Sequence, residues 1–112
     1  MSEPTTLDPH QYAGWRATPL GAITERLELD LVFELAGPVE GKSVLDVGTG
    51  DGSYALEAAS RGAAVTGVDV DPEMLRAAEQ RASAMSLDVT FVEGHAERLP
   101  VDDERFDLVL AV

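Results

Sequence analysis

The stretch Ser43-Val44-Leu45-Asp46-Val47-Gly48-Thr49-Gly50-Asp51-Gly52-Ser53-Tyr54-Ala55 restricts the fold more than any other part of the chain. A short apolar run carries an aspartate, turns through glycines at every second position and re-enters a helical pattern. Strand, glycine loop and helix in that order open a nucleotide-type α/β unit. Glycines at the end of a strand let the backbone turn sharply. They also let a ligand come close with no Cβ in the way.

The rest of the chain supplies the matching elements. Residues up to Asp8-Pro9 are polar and read as a loose tail, followed by a short segment bearing Tyr12 and Trp15. Thr18-Pro19 marks a helix start, a hydroxyl cap with proline in the first turn. Leu20, Ile23, Leu27, Leu31 and Leu35 recur at helical spacing and predict the packed face of that helix, which Gly37-Pro38 ends. Strands are predicted at Ser43–Val47, Ala64–Asp69 and Val89–Glu93, with a fourth over Phe106–Val112. Between the first two strands a helix runs from Asp51 or Gly52 to about Arg61. A second starts at Asp71-Pro72 and buries Met74 or Leu75, Ala78, Ala82 and Met85. Alternating strands and helices predict an α/β fold, a Rossmann-like open parallel sheet of about four strands in the order 3-2-1-4. The chain stops at an apolar strand with no helix after it, which reads as a truncated chain or fragment with an open edge for self-association.

Composition removes several classes of function. Against 8 Lys+Arg stand 21 Asp+Glu, a net charge of −13 that repels phosphate backbones and anionic lipid. There is no cysteine, hence no disulfide framework and no thiolate metal site; no metal is expected. No signal-peptide pattern opens the chain, and no apolar run nears the roughly 20 residues that span a bilayer. A cytoplasmic setting is expected.

Two carboxylates narrow the ligand. Asp69 closes the second strand nineteen positions after Gly50, where an acidic side chain accepts the hydroxyls of an adenosine ribose. Asp46, on the strand before the loop, sits badly beside a pyrophosphate and suits a cation. A dinucleotide fingerprint begun at Gly48 fails at Ser53, and begun at Gly50 it matches formally but late. A P-loop is excluded, since no Gly-Lys-Ser/Thr follows. From the residues alone, a nicotinamide-dependent oxidoreductase and a non-catalytic half-domain both stay open beside other adenosine cofactors.

The series VLDVGTGDGSYA, VTGVDVDPEML and FVEGHAERLPVDDERFDLVLAV resembles the motifs of class I S-adenosylmethionine (SAM) dependent methyltransferases, from Tyr12 onward. The leading YAGWRATPLG resembles the segment that small-molecule members carry before their first helix. The resemblance implies a lid-bearing tail over residues 1–17 and a SAM-binding domain over 18–112, incomplete beside the family's seven-stranded sheet. It implies SAM as cofactor and a small-molecule methyl acceptor. By position, Gly48, Gly50 and Gly52 lie against the methionine part and Asp46 near its α-ammonium group. Asp69 binds the ribose, with Val70 and Met74 on the adenine. Plain core packing is the competing role for Met74. The family's Gly-Asp-Ala turn after strand three is Gly94-His95-Ala96 here. His95 then meets the adenine edge or is a simple loop histidine, and Ala96 offers a backbone amide. Asp102, Asp103 and Glu104 read as a solvated loop. No residue presents itself as a catalytic base: His10 falls in the tail, and Tyr12 and Trp15 suit a lid.

Overall fold

The computed structural model describes residues 9–95 and 105–111. The elements run α1 (Pro9–Arg16), α2 (Pro19–Ala36), β1 (Ser43–Val47), α3 (Ser53–Ser60), β2 (Ala64–Asp69), α4 (Pro72–Ala84), β3 (Val89–Glu93) and β4 (Leu108–Leu110). All strand pairs are parallel, in the order β3-β2-β1-β4. This is the predicted Rossmann-like sheet. The fourth strand is shorter than its apolar run suggested, and the segment containing Asp102, Asp103 and Glu104 lies outside the described residues, as does Ala96.

Two successive crossovers step the same way across the sheet, β1 to β2 to β3. Right-handed connections therefore lay α3 and α4 on one face. Strand residues of one parity, Val44, Val65 and Leu110, meet Ala55 and Ala58 of α3 and Leu29 and Phe33 of α2 in a single core. β1 lies between β2 and β4, and Val44, Leu45 and Asp46 in its middle are all buried, as in a strand covered on both faces.

The helix ends follow from local chemistry. Thr18 Oγ1 accepts the Gly21 amide at 3.0 Å and Asp71 Oδ1 accepts that of Glu73 at 2.9 Å. Gly37, at φ 78°, ends α2, and its amide reaches the Phe33 carbonyl. Residues 1–8, most of the stretch read as a loose tail, lie outside the described residues, and the segment that follows forms α1, so His10 lies in a helix. At the corner between α1 and α2, a Cβ on Gly21 would sit 2.0 Å from the Trp15 carbonyl oxygen. Only glycine lets the two helices meet there.

One face was misread. Leu20, Ile23, Leu27, Leu31 and Leu35 are 58–80% exposed, while Leu29 and Phe33 are buried. At about 100° per residue, Leu27 and Leu31 stand some 200° from Leu29, on the opposite side of the helix. Helix α2 is apolar on two opposite sides. The docked side is chosen by Phe33, whose ring also lies 4.7 Å beneath the Arg61 guanidinium, and by the flanking ion pair Arg26–Glu57 at 3.0 Å. On α4 the buried residues are Leu75, Ala78 and Ala82; Met74 is half-buried, and Met85 is exposed beyond the helix end. Phe33→Ala should therefore cost about 3–5 kcal/mol in a urea melt. Leu27→Ala should stay within about 0.5 kcal/mol. Equal losses would contradict this packing.

Candidate functional site

The loop after β1 is built on β2. Register pairs Asp46 with Gly67, and the amides of Gly48 and Thr49 both donate to the Val68 carbonyl, at 2.8 and 2.9 Å. Thr49 folds down onto β2: a Cβ on Gly67 would stand 2.7 Å from Thr49 Oγ1 and 3.0 Å from the Phe91 ring. The same hydroxyl donates to Asp46 Oδ2 at 2.8 Å. Asp46 is only 2% exposed. Burial raises its pKa to about 6, against the Thr49 hydrogen bond that lowers it; the nearby Asp69 carboxylate adds to the rise.

Asp69 ties the other end of the loop. Its Oδ2 accepts the Gly50 amide and its Oδ1 that of Asp71, at 2.8 and 2.9 Å. Two backbone donors thus aim one carboxylate, and each oxygen keeps a further lone pair. The Gly94 amide reaches the Asp69 carbonyl at 2.9 Å, which brings the end of β3 to the same rim. Ligands of open α/β sheets sit at this carboxyl edge of the strands.

The three glycines differ. Gly48 (φ 71°) and Gly50 (φ 57°) are left-handed, and a Cβ on either would point into open space. Gly52 (φ 92°) faces inward instead, where a Cβ would press on Ala78 at 3.1 Å. Its bareness serves the packing of the loop on α4. Val70 is exposed just beyond β2, Met74 half-buried in the first turn of α4, and His95 exposed past the end of β3. The structure thus brings Asp46, Gly48, Gly50, Asp69, Val70 and Met74 to one rim and sets Gly52 behind it.

Sequence reasoning missed four side chains: Asp51, its partners Arg16 and Arg81, and Thr49. Asp51 is buried and held by Arg16 of α1 and Arg81 of α4. The partners lie 35 and 30 positions away, so no local pattern announces them. Thr49 could have been found, as a hydroxyl three residues after a strand aspartate. A groove of about 690 Å³ lies between α1 and α4, bordered by His10, Arg16, Asp51 and Arg81. Among the described residues no group of three or more His, Asp or Glu side chains is arranged to hold a metal ion.

Known proteins match this arrangement. A family model described as a methyltransferase domain matches residues 44–112. An uncharacterized protein of Mycobacterium tuberculosis is 39% identical over 100 residues, covering 87% of this chain and 36% of that protein. The ubiquinone biosynthesis O-methyltransferase of Alkalilimnicola ehrlichii is 42% identical over 84 residues, covering 74% of this chain and 34% of the relative. A crystal structure of a SAM dependent methyltransferase from Aquifex aeolicus has TM-score 0.75 at 25% identity, covering 95% of this chain and 57% of that one. The chain spans about a third of the length of these curated relatives. The nicotinamide alternative gives way to the matches, and no helix among the described residues is long and apolar enough to cross a membrane. Sheet order, loop and similarity agree: the chain belongs to the class I SAM-dependent methyltransferase family.

Proposed function

We propose that these residues form the methyl-donor half of an enzyme that passes a methyl group from SAM to a small-molecule acceptor. The observation that carries this reading is the open Gly48–Gly50 backbone flanked by two aimed carboxylates, Asp46 and Asp69. A buried carboxylate whose pKa stands near 6 has lost hydration and gains from a cation. Asp46 therefore suits an α-ammonium group, directly or through a water. The free lone pairs of Asp69 suit vicinal ribose hydroxyls. Val70 and Met74 offer an apolar wall to adenine, and His95, exposed past the end of β3, suits its edge. Gly48 and Gly50 let the methionine part approach the backbone, while Gly52 shapes the loop from behind.

When bound, SAM supplies a methyl group already activated on a sulfonium. The chain's task is then alignment and exclusion of water, and a base is needed only where the acceptor must lose a proton. No base is assigned. A small acceptor is favoured over nucleic acid because the net charge of −13 repels polyanions. The quinone-pathway name of one relative points to the same class. Among the described residues β4 forms one edge of the sheet, where a second copy or further strands would pair.

Calorimetry with S-adenosylhomocysteine tests the reading directly. Asp69→Ala should weaken binding roughly ten- to a hundredfold, since it removes charge-assisted hydrogen bonds. Asp88→Ala, just before β3 at the far end of that strand, should leave it within about twofold. No saturable binding, or equal effects, would sink the proposal.

Asp46 gives a pH test with a definite sign. Its folded pKa is raised from 3.8 to about 6, so the folded chain holds more protons than the unfolded one in between. The Asp46 contribution to the stability of the ligand-free protein should fall as pH rises through that window. It is read as the difference between the parent and Asp46→Asn, because Glu57, held low against its burial by Arg26 and Arg61, contributes with the opposite sign. Asp46→Asn should remove that contribution and stabilise the ligand-free chain at neutral pH by up to about 3 kcal/mol. Affinity for the ammonium-bearing ligand should rise over the same window in the parent, and stay flat and weak in the variant. Urea melts and calorimetry across pH 4–8 read both.

A further inference from the structure

Asp51 occupies the middle of the glycine loop, yet its side chain points away from the open rim and into a chain of ion pairs. Its Oδ2 meets Arg16 Nη1 at 2.5 Å and its Oδ1 meets Arg81 Nη1 at 3.3 Å. The Arg81 Nη1 also donates to the Asp51 carbonyl at 3.2 Å and to Ser53 Oγ at 3.1 Å. Behind it, Arg81 Nη2 lies 3.9 Å from Glu25 Oε1, and Glu25 Oε2 is buried without a hydrogen-bond partner. Five elements converge here: α1, the loop, α3, α4 and α2. Asp51 lies between Gly50 and Gly52, two glycines in left-handed conformations whose missing side chains give this part of the backbone few anchors of its own. Asp69 holds it from β2 through the Gly50 amide, and the arginines hold it from the opposite side.

We infer that Asp51 is a positioning residue that presets the cofactor loop and couples it to the N-terminal helix. The inference rests on the proposed SAM site. The two arginines divide the work. Arg81 grips the loop at two oxygens of Asp51 and at Ser53, and so sets its shape. Arg16 makes its bridge from α1 to the same carboxylate, and the close corner at Gly21 transmits that bridge to the start of α2. Binding at the loop and docking of α1 then favour each other, because each is relieved of ordering that the other has already imposed. The pair is largely screened from solvent, with 20% and 9% of the two side chains exposed, so water damps its attraction less than that of an exposed ion pair.

Trp15, the chain's single tryptophan, neighbours Arg16 and is 38% exposed, so it reports the docking of α1 without any ligand. The experiment compares acrylamide quenching of Trp15 and calorimetric binding of S-adenosylhomocysteine in the parent, Arg16→Gln, Arg16→Lys and Asp51→Asn. Arg26→Gln, in the α2–α3 ion pair, is the control. Arg16→Gln should raise quenching in the ligand-free protein and weaken binding about tenfold, one lost interaction of about 1.4 kcal/mol. Arg16→Lys should recover most of both, and Asp51→Asn should exceed Arg16→Gln because Arg81 is released too. Bound ligand should lower quenching in the parent more than in Arg16→Gln. Unchanged quenching in Arg16→Gln, or equal behaviour of Arg16→Gln, Arg16→Lys and Arg26→Gln, overturns the inference. A parent that binds no ligand sinks the SAM reading, whereas the ligand-free quenching still decides whether Arg16 tethers α1.

Discussion

Thr49 resting on Gly67 is the contact on which the site depends. One missing side chain on β2 leaves room for a hydroxyl from the loop after β1, and that hydroxyl reaches Asp46. With the loop seated there, the amides of Gly48 and Thr49 reach the Val68 carbonyl and the Gly50 amide reaches Asp69. Any larger residue at position 67 would meet both Thr49 and Phe91. The parallel register that sets Asp46 beside Gly67 is thus the origin of the whole rim.

Charge is distributed around this loop in a way that separates structure from binding. Asp46 is buried against the Thr49 hydroxyl and the Ala55 backbone with no cation among its described partners, a costly arrangement for a carboxylate. Asp69 is spent partly on backbone amides and partly free. Asp51, two residues beyond Thr49, is neutralised by two arginines and faces the groove between α1 and α4. Three aspartates around the loop therefore differ in surroundings: Asp46 is buried against a hydroxyl, Asp69 is aimed by two backbone amides, and Asp51 is paired with two arginines. Such unevenness is characteristic of a site kept ready for a ligand at some expense in stability.

Helix α2 shows the limit of periodicity. Its leucines at 20, 27, 31 and 35 make a better stripe than Leu29 and Phe33, yet the stripe faces outward. Periodicity finds that a helix is amphipathic but cannot choose between two apolar sides, because both repeat at the same angle. The choice was made by the size of Phe33 and by charges on α3, neither visible in a local window. Met85 was misplaced for a related reason: the helix ends before its turn comes to face the core. The helix α1 escaped notice because its residues are mostly polar or small and its one clear signal is a proline at its start.

What the amino-acid sequence determined by itself was everything written in short-range chemistry. The caps at Thr18 and Asp71, the glycine stops, the bounds of β1, β2 and β3, and the spacing from Gly50 to Asp69 depend on neighbours within a few residues or on strand counting. Only the tertiary structure decided which side of α2 is buried, that Gly52 packs against Ala78 while Gly48 and Gly50 stay open, and that Arg16 and Arg81 meet at Asp51. Each of those depends on groups brought together from distant parts of the chain. Their energies arise from exclusion of water and from shape at the point of contact, and neither exists until the sheet has closed.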